Sequence, residues 1–242
     1  MSEIIDNYSF DTAEKQAAAR QFFAKVYGFM FFALIVSGAI AYQYGTEAFF
    51  AKHFLSPTPK GYQPNFLYYV VIFSPVGVAL LLQTMINRLS FPLLFGLFSL
   101  YSILIGFSLS YIFIFYSIGS IATTFGITAV TFGVMAIMGF VTKLDLTKMG
   151  SILYMAFIGI FISSMINFFL KSEAFEYLIS IIGVIVFTGL TAYHMQQLKQ
   201  FAHDSEISAE NKNKLALLGG FTLYVLFINL FVSLLSLFGN RD

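Results

Sequence analysis

His194, in the stretch Thr191-Ala192-Tyr193-His194-Met195-Gln196-Gln197, is the one histidine that falls within an apolar run of this sequence. An ionisable group held in such a run is costly, which makes it a candidate for function. The chemistry it offers is proton binding near neutral pH, as a protonation switch at a pore mouth. The bland alternative is a helix-end histidine whose ring N–H bonds a neighbouring carbonyl. Zinc is disfavoured, because Gln197 and Leu198, three and four residues on, are not ligands. His53 and His203 fall in loops. All 12 acidic residues, from Glu3 to Asp242, fall in termini, loops or helix ends, so no embedded carboxylate is offered for a proton relay or a cation site.

Polar residues on the last apolar run repeat at helical spacing. Thr222, Asn229, Ser233 and Ser236 share one face, and Leu226 interrupts that stripe. Such a stripe serves interhelical hydrogen bonding, at up to about 1–2 kcal/mol per contact, or it lines a water-filled pathway. Asn167, four residues after Ser163, belongs to the same class. Ser102, Gly106 and Ser110, with Gly126, Gly133 and Ala136 on the next run, read as close helix packing. Asp145, in Thr142-Lys143-Leu144-Asp145-Leu146-Thr147, is expected to cap the helix that follows by meeting its free N–H groups. No Ser-His-Asp set, HExxH motif or phosphate-binding glycine loop is present. The chain is not read as an enzyme, and no cofactor or metal is assigned to it.

The elements that carry these residues follow from composition. Of 242 residues, 58% are hydrophobic and only 10% charged, against about a quarter charged in soluble domains. A soluble enzyme is thereby excluded. The net charge of +1 gives no footprint for nucleic acid. With no cysteine, disulfides and thiolate metal sites are ruled out. Apolar runs at 22–44, 66–86, 92–115, 118–141, 150–170, 176–198 and 215–238 are each long enough to cross a hydrocarbon core of ~30 Å as helix. The fold class is therefore all-α, a polytopic bundle of seven transmembrane helices. The third and fourth are divided by the short break Tyr116-Ser117. A re-entrant hairpin stays open for the seventh run, which begins with Gly and polar groups.

Pro57, Pro59, Gly61 and Pro64 mark a loop of about 20 residues after the first helix, and 87–92 is a tight connection. The chain reads as an N-terminal segment, 1–21, followed by one transmembrane domain, 22–239. No cleaved targeting segment is read in its first 20 residues. With the N-terminus in the cytoplasm, Lys15, Arg20, Lys25, Arg88, Lys143, Lys148, Lys199, Lys212 and Lys214 lie inside, nine of the 13 basic residues. Lys52, Lys60, Lys171 and Arg241 lie outside, and this excess sets the expected orientation.

Several stretches together resemble the Bax inhibitor-1 family in its bacterial form. They are Lys25-Val26-Tyr27-Gly28, the region from Gly106-Phe107-Ser108-Leu109-Ser110 to Thr142-Lys143-Leu144-Asp145-Leu146, Leu190-Thr191-Ala192-Tyr193 to Lys199, and Leu223-Tyr224 through Phe227-Ile228-Asn229-Leu230-Phe231. The resemblance runs from Arg20 to Gly239. It implies a seven-helix bundle with the last helix central, in the bacterial inner membrane. It also implies a pH-sensitive calcium leak, or modulation of an ATP-dependent membrane protease, so that calcium ions and a protease are the implied partners beside the bilayer. The family's proposed pH sensor is a pair of aspartates on the sixth and seventh helices. The matching positions here are His194 and Leu226. Two carboxylates can share a proton and titrate near neutrality, whereas histidine charges as pH falls and leucine does not titrate. The pore or pH-sensing candidates are thus His194, Asn229, Asn167 and the Leu226 position.

Overall fold

The computed structural model describes residues 2–59, 61–204 and 207–240, with side chains from Gln16 onward except that of Ala209. The side chains of Glu3, Asp6, Asp11, Glu14 and Lys15, together with Lys60, Glu206, Arg241 and Asp242, lie outside the described residues. In chain order the elements are α1 (Ser2–Tyr44), α2 (Glu47–Phe54), β1 (Leu55–Thr58), β2 (Gly61–Pro64), α3 (Phe66–Thr84), α4 (Phe91–Leu109), α5 (Ile112–Phe115), α6 (Ile118–Val141), α7 (Thr147–Leu170), α8 (Glu173–His203) and α9 (Ala209–Phe238). Among the described residues, seven helical stretches are long and apolar enough to cross a membrane: Gln16–Tyr44, Phe66–Thr84, Phe91–Phe115, Ile118–Val141, Thr147–Leu170, Glu173–His203 and Glu210–Phe238. The expected fold class is what the chain adopts. Helix is the answer because each run must satisfy its own backbone where no water is available.

Local chemistry places the helix ends. Thr46, Asn65 and Ser172 each turn a side-chain oxygen to a backbone N–H of the following first turn, of Phe49, Tyr68 and Phe175 respectively. Helix α7 ends on Lys171, whose left-handed backbone (φ 52°) lets its N–H reach the Asn167 carbonyl at 2.7 Å. The seventh run is one continuous helix, so the re-entrant alternative is set aside. The third is broken once, at Ser110 and Tyr111, into α4 and α5.

The segment after α1 is not the loop expected from its prolines. Residues 47–54 form α2, and β1 pairs antiparallel with β2 from Leu55 opposite Pro64 to Thr58 opposite Gly61. Gly61 takes φ +105° at this turn, a conformation that side chains disfavour. His53 consequently sits on α2, stacked on Phe49 with ring centroids 4.3 Å apart. His203 likewise ends α8 and is not in a loop.

The chain divides into two compact units, residues 1–30 with 129–233 and residues 31–128 with 234–242. In the second, α3 and α4 form a helical hairpin, closed by a hydrogen bond from Ser108 Oγ to the Val71 carbonyl at 3.1 Å. Gly106 lies where a Cβ would strike Ile40 and the Ser37 carbonyl, so α1 and α4 approach there as the small-residue spacing suggests. In the first unit α7 packs along α8. Here α9 meets α1 at Gly220, where a Cβ would fall 2.7 Å from the Val26 carbonyl, and meets α8 where Gly183 faces Ser233. Phe132 of α6 and Phe227 of α9 are 5.4 Å apart edge to face. Of the seven spans α9 is the most enclosed, 56% of its most apolar window being buried against 33% or less elsewhere. The equivalent window of α7 has no buried residue.

The small residues of α6 need a correction. A Cβ on Gly126 or Gly133 would meet nothing within 4 Å, so neither is a site of close packing. The tight approach is at Gly139, whose missing side chain leaves room for the Ala192 backbone of α8.

Candidate functional site

The C-terminal half of α8 gathers the polar chemistry of the first unit. His194 is half-buried, and its Nε2 lies 2.7 Å from the Tyr154 phenol of α7. The partner is therefore a hydroxyl on a neighbouring helix, not the carbonyl expected of a helix-end histidine. The two rings meet edge to face at 5.6 Å, and Tyr193 stands against both, 6.1 Å from Tyr154 and 5.4 Å from His194. Gly150 makes the cluster possible, because a Cβ there would collide with the Tyr193 ring. Gln197 Nε2 completes it by donating to the Tyr193 hydroxyl at 2.7 Å.

Beside this cluster, α8 holds the loop between α6 and α7. Gln196 Nε2 donates to the Leu144 carbonyl at 2.7 Å, and its Oε1 accepts from the Leu146 N–H at 2.9 Å. Lys199 Nζ donates to the Phe140 carbonyl at 2.8 Å and lies 5.1 Å over the Phe140 ring, covering the end of α6 with a cation. Across the loop, Asp145 Oδ1 accepts from the Thr147 N–H at 2.9 Å. The bonds from Thr147, and then the charge of Lys148, hold the Asp145 carboxyl below its ordinary value. Of the free N–H groups it was expected to cap, Asp145 thus meets that of Thr147, the first residue of α7, while Leu146 stands at the N-cap itself and no side chain caps there.

The other candidates are not assembled around His194. Leu226 is buried in α9 at 4% exposure. Asn229 Nδ2 donates to the Val225 carbonyl of its own helix at 2.8 Å, where an interhelical bond was expected. Asn167 Oδ1 accepts from the Ser172 N–H at 3.1 Å, which ties the end of α7 to the start of α8 and makes it a turn-closing group. Among the described residues no group of three or more His, Asp or Glu is placed to hold a metal ion. Sequence reasoning missed Tyr154, Gln196 and Lys199. The available signal was a tyrosine in an apolar run, whose hydroxyl needs a partner.

Comparison with known proteins now bears on this arrangement. A family profile described as Inhibitor of apoptosis-promoting Bax1 matches residues 19–242. The chain belongs to the Bax inhibitor-1 family. It is 40% identical over 230 residues to the Inner membrane protein YbhL of Escherichia coli, covering 94% of this chain and 95% of that one. It is 39% identical over 232 residues to an uncharacterized protein of Borreliella burgdorferi, covering 95% and 97%. An uncharacterized membrane protein of Streptococcus pyogenes is 29% identical over 231 residues, covering 95% and 96%. With seven membrane-length helices, this Bax inhibitor-1 family member is a multi-pass membrane protein. The two positions that its resemblance to the family assigns to acids carry an imidazole bonded to a phenol and a buried leucine.

Proposed function

We propose that this protein is a Bax inhibitor-1-type membrane protein that works by binding other membrane proteins, an ATP-dependent protease among them, and does not carry a carboxylate-gated calcium leak. The observation behind this reading is the pair of positions just described. Calcium takes six to eight oxygen ligands, carboxylates prominent among them. Leu226 offers no oxygen, and His194 Nε2 is engaged with Tyr154. The six described acids, Glu47, Asp145, Glu173, Glu176, Asp204 and Glu210, all stand at helix ends or in loops. No reaction is assigned to the chain.

The acidic N-terminal segment, residues 1–19, and the apolar window of α7, which has no buried residue, are what a partner helix or domain can engage. Crosslinking in native membranes, with and without that segment, tests the reading. A stoichiometric partner recovered from the intact chain supports it; self-crosslinks alone overturn it.

A second reading, a cation leak with a histidine switch, draws on the Tyr154–His194 contact, since protonating the imidazole changes which group donates. If flux occurs, His194→Gln removes its pH dependence; an unchanged profile rejects His194 as the switch.

A further inference from the structure

Within the first unit, α1, α6 and α8 border an open-sided groove of about 650 Å³, within the range of about 300–1,000 Å³ common to small-ligand sites. Its floor is apolar, made by Phe23, Tyr27, Phe140 and Met195, and Arg20 and His203 stand in its lining as well. Ile137 on its edge is 64% exposed and Ala24 is exposed, so the groove opens sideways onto a face that must meet hydrocarbon. A second recess of about 400 Å³ shares His203 and adds Lys143 and Lys199, with Gln200 beside them. Asp145 is the acid there, and its carboxylate already accepts from Thr147. Lys199 is spent on the Phe140 carbonyl, which leaves the exposed Arg20 and Lys143 as cations flanking His203.

Charge is concentrated at this end of the unit. Arg20 and Lys25 of α1, the latter bonded to Asn213, join Lys143, Lys148, Lys199, Lys212 and Lys214 of the α6–α7 and α8–α9 connections, where the described acids are Asp145, Asp204 and Glu210, the last paired with Lys214 at 3.3 Å, whereas Lys171 stands at the far end of α7. A sideways-open apolar trough with a cationic mouth, at the level where the spans end, matches a molecule with one hydrocarbon tail to bury and one anionic head to pair. We propose that the groove is a binding site for one anionic phospholipid. Its phosphate is held by Arg20, with Lys143 beyond, and one acyl chain lies over Phe23, Tyr27, Phe140 and Met195. Guanidinium suits phosphate through paired N–H donors, and basic pockets between membrane helices recognise acidic headgroups in this manner. A soluble phosphate compound would gain nothing from the apolar floor, and a zwitterionic lipid would gain less from Arg20.

The test uses the full-length protein in bilayers of phosphatidylethanolamine carrying a trace of phosphatidylglycerol with a photoreactive acyl chain, the labelled peptides being read by mass spectrometry. Labelling should concentrate on residues 20–27 and 136–140 and be competed by unlabelled phosphatidylglycerol but not by glycerol phosphate or inorganic phosphate. Arg20→Gln should lower it about fivefold, the effect of one cation near an anionic headgroup. Ala24→Phe, which fills the groove from an exposed position, should lower it with the head-group cations intact. Labelling of the lipid-facing α7 by a phosphatidylethanolamine probe should stay constant and so report that each variant is folded. Equal labelling of every lipid-facing helix whatever the headgroup, competition by free phosphate, or full labelling in Arg20→Gln would each overturn the proposal.

Discussion

The phenol of Tyr154 and the imidazole Nε2 of His194 lie 2.7 Å apart, joining α7 to α8 at the position where the family resemblance places an acid. Each group is the other's means of satisfying a polar atom inside an apolar span, which hydrocarbon would otherwise leave unpaired. Tyr154→Phe should therefore destabilise the fold by about 0.6–1 kcal/mol, the range for such bonds between membrane helices. Thermal unfolding in detergent checks this. His194→Gln, which still offers a donor and an acceptor, should cost less than His194→Leu, which leaves the Tyr154 hydroxyl unpaired. Equal losses from both would mean that packing alone matters there.

Gln196 should act as the clasp of the 142–147 loop. Gln196→Leu removes both bonds, to the Leu144 carbonyl and the Leu146 N–H, at about 1 kcal/mol for each bond net. Gln196→Glu keeps the acceptor and loses the donor. Hydrogen exchange should rank the loop amides as fastest in Gln196→Leu, intermediate in Gln196→Glu and slowest in the parent.

Two glycines on one helix should behave oppositely. Gly139→Ala drives a methyl into the Ala192 backbone and should cost about 1–3 kcal/mol, as overpacking does. Gly133→Ala meets open space and should be neutral, or stabilising by up to about 1 kcal/mol through helix propensity. Melting temperatures of the two variants decide the matter; similar shifts would contradict the packing described for α6 and α8.

Asp145 gives a pH signature outside the membrane. Its folded-state carboxyl titrates below the ordinary value because Thr147 bonds it and Lys148 faces it. A depressed carboxyl contributes fully above its unfolded value of about 3.9 and loses that contribution only as pH falls through the lower folded value. Protection of the Thr147 amide, corrected for intrinsic exchange, should be flat between about pH 5 and 8 and drop only in stronger acid. Asp145→Ala should lower it throughout.

What was legible in the residues was set by the bilayer and by the immediate neighbours of each residue. Apolar run length gave all seven spans, because a hydrocarbon slab fixes helix length. The bond from the Thr147 N–H to Asp145 was legible because the two are two residues apart. What escaped depended on contacts remote in sequence or on backbone pairing. Tyr154 and His194 are 40 positions apart, and nothing local marks them as partners. Gly126, Gly133 and Gly139 look alike in composition, and only the azimuth of α6 selects the one that meets α8. The prolines of 57–64 read as loop because they punctuate, yet Gly61 turns that same segment into a hairpin above which α2 is capped by Thr46.

Calcium entry into dye-loaded liposomes, measured across about pH 5–8 where histidine titrates, tests the central claim most directly. The parent protein is expected to admit no more calcium than protein-free vesicles. Restoring both acids, as His194→Asp with Leu226→Asp, is expected to create a pH-dependent flux, since two carboxylates can then share a proton. Calcium entry through the parent at rates matching the double variant would contradict the account.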